Sequence, residues 1–312
     1  MLTNKEKSFI SAVVYVNNNE SNIVEFLDGL INTLKTGFEK FEIICVDDAS
    51  EDASVAKIRG VAEQLENGIV SIINMSYFQG LEASMNAGVD LAIGDFVFEF
   101  DNNVIDYELS LIMDVYKQSL QGYDIVAASN AKRRLSSTLF YSLFNRNAKM
   151  QYELTTETFR ILSRRAINRI HSMSKTIPYR KAVYANCGLK TNLIFYERSA
   201  SIDPVKSKRA EKNRYDVAIN SLILFTDVAY KIAIFLALLM MGATLAGVFY
   251  TIAIFILGQP VAGYTTIMLV TTGGFFGVFS ILGIIIKFLS ILVDLVFKKQ
   301  KYVIESIEKI SK

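Results

Sequence analysis

Two acidic clusters carry the clearest chemical potential in this chain. Asp47-Asp48 follows the apolar run Phe41 to Val46, and Asp101, with Asp106 nearby, follows Phe96 to Phe100. A carboxylate at such a position can accept from a ribose hydroxyl or a base N–H, or hold a divalent cation that neutralises a diphosphate. Asp also caps helices and makes turns, and either cluster alone fits that role as well. Their occurrence together, at adjacent strand ends of one sheet, favours ligand binding.

The elements that would position these acids alternate regularly. Phe9 to Val16 reads as a buried strand, and Ile23, Phe26, Leu27, Leu30, Ile31 and Leu34 recur at helical spacing after the polar turn Asn17-Asn18-Asn19. A strand over Phe41 to Val46, a helix from about Asp52, a strand over Ile69 to Met75, a helix over Gly80 to Ala92 and a strand over Phe96 to Phe100 follow. Strand–helix alternation implies parallel pairing through right-handed crossovers, with ligands bound beyond the carboxyl ends of the strands. From Tyr123 to about Ile202 the pattern loosens into a strand at Ile125 to Ala128, a basic turn at Lys132, Arg133 and Arg134, and a helix over Phe140 to Met150.

Composition divides the chain near Lys231. Before it, charged and apolar residues mix as in a soluble domain; after it, Ile232 to Leu257 and Thr265 to Ile286 carry no charge. Each run reaches the ~20 apolar residues needed to cross a hydrocarbon core, and the short connector from Gly258 to Tyr264 predicts an antiparallel hairpin. Lys206, Lys208, Arg209, Lys212, Arg214 and Lys231 precede the first run, and Lys298, Lys299 and Lys301 follow the second, which places both flanks in the cytoplasm. No basic region joins an apolar run at the N-terminus, so no signal peptide is expected. Val303, Ile307 and Ile310 share one helical face opposite Lys and Glu, which predicts a helix on the membrane surface. Gly273-Gly274 and Gly277 form a small face suited to helix–helix association, including between copies of the chain.

A net charge of +2 does not point to nucleic acid, and the basic run beside the first span suits anionic lipid. The two cysteines, Cys45 and Cys187, read as reduced packing residues, and one histidine, His171, leaves no basis for a structural zinc site.

Several segments, in order, resemble the family-2 glycosyltransferases of GT-A-type fold. They are Ser11 to Glu20, Val46-Asp47-Asp48-Ala49-Ser50-Glu51-Asp52, Gly80 with Asn86-Ala87-Gly88, and Gly94-Asp95 ahead of Asp101. Phe159-Arg160-Ile161-Leu162-Ser163-Arg164 is similar to the Phe-Arg-Leu-Leu-Ser-Arg segment of the polyprenyl-phosphate branch, which includes dolichol-phosphate mannose synthase-like and undecaprenyl-phosphate sugar transferases. Asn213-Arg214-Tyr215 resembles its Ser-Lys-Tyr segment, and Lys298 to Ile304 its basic tail.

The resemblance implies an inverting transfer of sugar from a nucleotide diphosphate sugar to a polyprenyl phosphate at the cell membrane, with Mg²⁺ or Mn²⁺ on the diphosphate. Basic residues would hold the two phosphate-bearing reactants together. By position it assigns Asn19, Asp47, Asp48, Asp101 and Asn103 to the nucleotide sugar, and Asp101 and Asn103 to the metal. Arg133, Arg134, Arg160, Lys212 and Arg214 are assigned to the lipid phosphate, and Asp101 and Arg160 to catalysis. The chain departs from the pattern in places. Asn19 stands where the family has Glu, Asp-x-Asp reads Asp101-Asn102-Asn103, Tyr77-Phe78 replaces Arg-Asn ahead of the glycine, and Thr158 replaces the acid before Phe159. Glu99 and Asp106 are the other acids considered as ligands. These departures leave a second reading open, a non-catalytic member that binds nucleotide sugar or scaffolds a glycan assembly.

The expected architecture is therefore a GT-A-type, mostly parallel α/β domain over 1–204 and an interfacial segment over 205–231. Spans over 232–257 and 265–286 and an amphipathic tail over 287–312 follow.

Overall fold

The computed structural model describes residues 5–66, 68–131, 140–142, 144–146, 154–173, 179–198, 208–225, nine positions within 231–246, 264–297, 302 and 304–311. Contacts divide the chain into two compact units, Met1–Ala218 with Gln300–Lys312, and Ile219–Lys299.

The first unit is built on an eight-stranded sheet. Its strands are β1 (Ile10–Val16), β2 (Phe41–Asp47), β3 (Ile69–Met75), β4 (Phe96–Phe100), β5 (Ile125–Asn130), β6 (Glu157–Ser163), β7 (Thr191–Tyr196) and β8 (Ile304–Ser311). They lie in the order β7-β5-β6-β4-β1-β2-β3-β8. Pairing is parallel among β4, β1, β2 and β3 and antiparallel where β6 meets β4 and β5 and where β8 meets β3. The regular alternation of the first hundred residues thus produces the parallel half of the sheet, with β3 and β4 at the expected limits.

Helices α1 (Ile23–Gly37), α2 (Ser54–Glu63) and α3 (Leu81–Leu91) are the crossovers. The apolar stripe of α1, from Ile23 through Phe26, Leu27, Leu30 and Leu34, is buried in one core with Ala12 and Val14 of β1, Ile43 and Cys45 of β2, and Phe98 and Phe100 of β4. α4 (Ser110–Ser119) adds Ile112, Val115 and Tyr116 to the same core. Cys45 and Cys187 are free and buried.

α3 covers the opposite face. A Cβ on Gly88 would lie 2.3 Å from Val13 Cγ1 and 2.8 Å from Val46 Cγ2, so glycine is what lets this helix approach the strands so closely. Gly88→Ala is expected to destabilise the unit by about 2 kcal/mol through overpacking, a fall of roughly 4–8 °C in Tm. Gly60, in α2, has open space where a Cβ would go, and Gly60→Ala should stabilise by about 0.5–1 kcal/mol. Thermal unfolding of the two variants checks the opposite signs.

The C-terminal tail corrects an expectation. Residues 304–311 form strand β8 rather than an amphipathic helix. The spacings of four and three between Val303, Ile307 and Ile310 fit a helix, but the outer edge of β3 would otherwise present unpaired N–H and C=O groups. Pairing runs from Ile69↔Ser311 to Met75↔Ile304. Ile310 packs on the core, Ile307 faces outward at 50% exposure, and Glu308 accepts two bonds from Arg59 of α2, at 2.8 and 2.6 Å. β-branched residues suit this strand as well as their spacing suits a helix.

In the second unit, helix Tyr264–Phe297 contains the second charge-free run and continues eleven residues past Ile286. Gly277 is buried against Met240, whose Cγ would lie 2.1 Å from an added Cβ, so the small face of one run meets the other within this unit. Among the described residues, no helix is long and apolar enough to cross a membrane.

Candidate functional site

β1 and β2 end side by side, and the loops beyond them are bonded together. Asn17 Nδ2 donates to the Asp48 carbonyl at 2.8 Å, the Asn18 N–H to Ser50 Oγ at 2.9 Å, and the Asn19 N–H to Ser54 Oγ at 2.8 Å. The Asn19 side chain closes its own turn, with Oδ1 accepting from the Asn17 N–H. Asn19 therefore stabilises this loop through contacts internal to it. Asn18 and Ala49 both adopt left-handed backbone, φ 52° and 54°, a conformation that costs a non-glycine residue energy and often marks functional loops.

Asp47 and Asp48 divide the work between them. Asp48 is fully buried; Oδ1 accepts from the Gln79 N–H at 2.7 Å, and Oδ2 from the Gly80 N–H at 2.8 Å and the Tyr15 hydroxyl at 2.9 Å. It fastens the start of α3 to the ends of β1 and β2. Burial pushes its carboxyl above the ordinary value despite these bonds. Gly80, at φ 88°, brings its N–H to Asp48 with the Asn213 side chain against its α-carbon.

Asp47, by contrast, lines an open cavity of about 380 Å³ beyond β2 and β3, together with Ser50, Glu51, Asn74, Tyr77, Phe78 and Glu305. Its Oδ2 accepts from the Ser50 N–H at 3.1 Å, while Oδ1 is buried with no partner. An unsatisfied buried oxygen on a cavity wall is costly unless a ligand donates to it. Burial raises the Asp47 carboxyl as well.

Asp101 lies in a buried ionic cluster. Arg160, with no exposed side-chain surface, donates from Nη2 to Asp101 at 2.7 Å, from Nη1 to Glu99 at 2.6 Å and from Nε to Glu157 at 2.9 Å. Arg180 binds the other Asp101 oxygen at 2.8 Å and Glu82 of α3 at 3.1 Å, and pairs with Glu99 at 2.9 Å. The Tyr184 hydroxyl donates to Glu99 at 2.8 Å. Burial opposes ionisation of Asp101, but Arg160, Arg180 and Lys181 outweigh it and hold the carboxyl well below the usual carboxylate range. Two guanidiniums face four carboxylates here, and it is these neighbours rather than solvent that keep Asp101 ionised.

Of the two acidic clusters, only Asp47 is among the residues lining the cavity beyond β2 and β3. Both clusters act on the start of α3, Asp48 through the N–H groups of Gln79 and Gly80, and Asp101 through Arg180 and Glu82. Asp101 and Asn103 do not form the expected chelating pair. Both Asp101 oxygens accept from guanidiniums, while the buried Asn103 amide faces a small cavity with Asn22, Glu25 and Phe26 at the start of α1. Glu99 is enclosed in the ionic cluster, and Asp106 pairs with Arg198 at 3.1 Å and Tyr196 at 2.8 Å. Among the described residues, no group of three or more ligating side chains could hold a metal. The residues nominated for a metal do not fit that role as arranged.

The nominated phosphate ligands separate too. Arg160 spends all three nitrogens on carboxylates, which leaves it a positioning role. Lys212 is exposed on helix Lys208–Phe225. Arg133, Arg134 and the side chain of Arg214 lie outside the described residues. Arg180, Glu82, Glu157 and Glu305 were not nominated. For Glu157 a signal existed: the β5–β6 register skips Thr158, with Ala128 opposite Phe159 and Ser129 opposite Glu157, so the acid sought before Phe159 stands one residue earlier.

The parallel strands, their glycine-started α3 and the carboxylate-lined cavity at their carboxyl ends define an open α/β protein with its site at the strand ends. The Glycosyl transferase family 2 model matches residues 11–187. The chain belongs to that family and is a glycosyltransferase.

It is 24% identical over 267 residues to the uncharacterized glycosyltransferase sll0501 of Synechocystis, covering 83% of each chain. The identity is again 24% over 267 residues to the bactoprenol glucosyl transferase of Shigella phage SfV, covering 83% of this chain and 86% of that one. Among solved structures it resembles the mannosyltransferase PcManGT of Pyrobaculum calidifontis, in complex with GDP-Man and Mn²⁺. That likeness has a TM-score of 0.48 and 15% identity over 95% of this chain and 89% of that one.

Proposed function

We propose that this glycosyltransferase moves a sugar, with inversion, from a nucleotide diphosphate sugar to a polyprenyl phosphate, and that the two charge-free runs anchor it in the cell membrane with both termini cytoplasmic. The observation that carries the donor half is the buried, unpartnered Asp47 oxygen on the wall of the cavity. The acceptor half rests on the likeness to bactoprenol glucosyl transferases and on the two apolar runs flanked by lysine and arginine.

In this reading the nucleoside end of the donor enters the cavity, where Asp47 accepts from it and Tyr77 and Phe78 supply aromatic surface. The sugar diphosphate extends toward the start of α3, whose backbone Asp48 holds in place. The ionic cluster of Arg160, Arg180, Glu99 and Asp101 fixes the strand end beneath it. A lipid phosphate is already anionic and attacks the anomeric carbon without a strong general base. The diphosphate leaves with the bonding electron pair. Lys212, Arg133, Arg134 and Arg214 are the candidates for holding the acceptor phosphate against the donor.

Membranes containing the protein, incubated with labelled nucleotide sugars and undecaprenyl phosphate, should yield a lipid-linked sugar that mild acid releases. Product formed on a soluble acceptor but never on the lipid would sink the acceptor half. An absence of product with every common donor would sink the whole reading.

A further inference from the structure

We propose that Glu305, carried by the C-terminal strand, selects the nucleobase, favouring one with a donor-rich edge, such as guanine, over uracil. This rests on the reading of the cavity as a nucleotide site and adds a residue from the far end of the chain to it.

The position of Glu305 has a structural cause. Met75 pairs with Ile304 and Asn74 with Ser306, so Glu305 is the extra, unpaired residue of a β-bulge at the sheet edge. A bulge bends its strand and re-aims the side chain it carries. Here that residue lines the cavity on the side of β3, with Asp47 at the end of β2. Regular pairing would have placed Glu305 opposite Met75, as one more residue of an edge strand.

The chemistry of the wall follows from its side chains. Asp47 offers a buried oxygen with no partner. Asn74 has both amide N–H groups engaged, with Ser306 Oγ at 2.8 Å and Glu308 Oε1 at 3.2 Å, so its remaining capacity is as an acceptor. Glu51 and Glu305 add two more carboxylates, and among the described residues no lysine or arginine lines the cavity. Guanine presents N1–H and N2–H₂ side by side on one edge, a match for a carboxylate. Uracil presents a single N3–H between two carbonyl oxygens, which face the same acids unfavourably.

Calorimetry on the full chain with GDP and UDP tests this. The wild type should bind GDP at least tenfold more tightly, the scale of one charge-assisted hydrogen bond. Glu305→Gln should weaken GDP by about tenfold and leave UDP nearly unchanged, and Glu305→Lys should bring UDP level with GDP or ahead of it. The GDP-to-UDP ratio is the readout, because a variant that merely loosened the strand would weaken both nucleotides together. UDP binding as tight as GDP in the wild type, or an unchanged ratio in both variants, overturns the proposal while leaving the nucleotide site standing. Binding of neither nucleotide overturns both.

Discussion

Replacing Arg160 with methionine lowers the melting temperature of the sheet-containing unit by about 6–20 °C. The estimate follows from a loss of about 3–5 kcal/mol when one partner of a buried ion pair is removed and from roughly 2–4 °C per kcal/mol for a unit of this size. Methionine keeps an unbranched apolar stem and removes the guanidinium with its charge. Glu99, Asp101 and Glu157 then lose a shared partner, while Arg180 stays paired with Glu99 and Asp101. Arg59→Met is the comparison. It breaks the ion pair to Glu308, in which both side chains are substantially exposed, and such pairs contribute at most about 1 kcal/mol. Differential scanning calorimetry should separate the two variants clearly.

The pH dependence of that difference has a definite sign. In the wild type the Asp101 carboxyl lies below its unfolded value, so its contribution is complete above the ordinary carboxylate range and fades as pH falls through the folded value. Without Arg160, the Asp101 carboxyl loses the largest of the charges that oppose the effect of burial, so it rises and the variant loses less on acidification than the wild type. The gap between wild type and Arg160→Met should be widest near neutrality and should narrow below about pH 4, the unfolded range for Asp and Glu. A gap that stays constant with pH would show that Arg160 contributes by packing alone.

How far the sequence reveals this site depends on the reach of each interaction. β1 through β4 and their crossovers could be read because apolar runs and helical stripes are local signals, and Asp47, Asp48 and Asp101 stand at the ends of those runs. The direction of each side chain is another matter. Asp47 is the last residue of β2 and Asp48 the first beyond it, so the pleat turns one toward the cavity and the other toward α3. No property of the dipeptide says which does which. Arg180 joins Asp101 and Glu82 across gaps of 79 and 98 residues, and no motif announces it. β8 is the extreme case. Its isoleucine spacing fits a helix, and only the vacant edge of β3, more than 200 residues earlier, makes it a strand. Glu305 could not be placed at the site without that pairing.

Asp47→Asn should move two measurements in opposite directions. The oxygen that accepts from Ser50 survives as the amide carbonyl, so the loop keeps its bond, while the buried negative charge is removed. Because burial raises the Asp47 carboxyl, the ionised group costs stability at pH values above its folded value. The amide removes that cost, and Tm in the absence of ligand should rise near neutral pH. Nucleotide binding should weaken by about 10- to 100-fold, the range for losing a hydrogen bond to a charged group. Wild-type affinity should also decline on acidification at a pH above the ordinary carboxylate range, since protonated Asp47 is a poor acceptor, whereas the variant should be flat there. Asp48→Asn provides the contrast. Its carboxylate accepts two backbone N–H groups and a hydroxyl at the start of α3, so its loss should lower Tm and impair binding together. A rise in Tm coupled to a loss of affinity identifies a residue kept for its ligand rather than for the fold, and of the two adjacent aspartates only Asp47 is placed to show it.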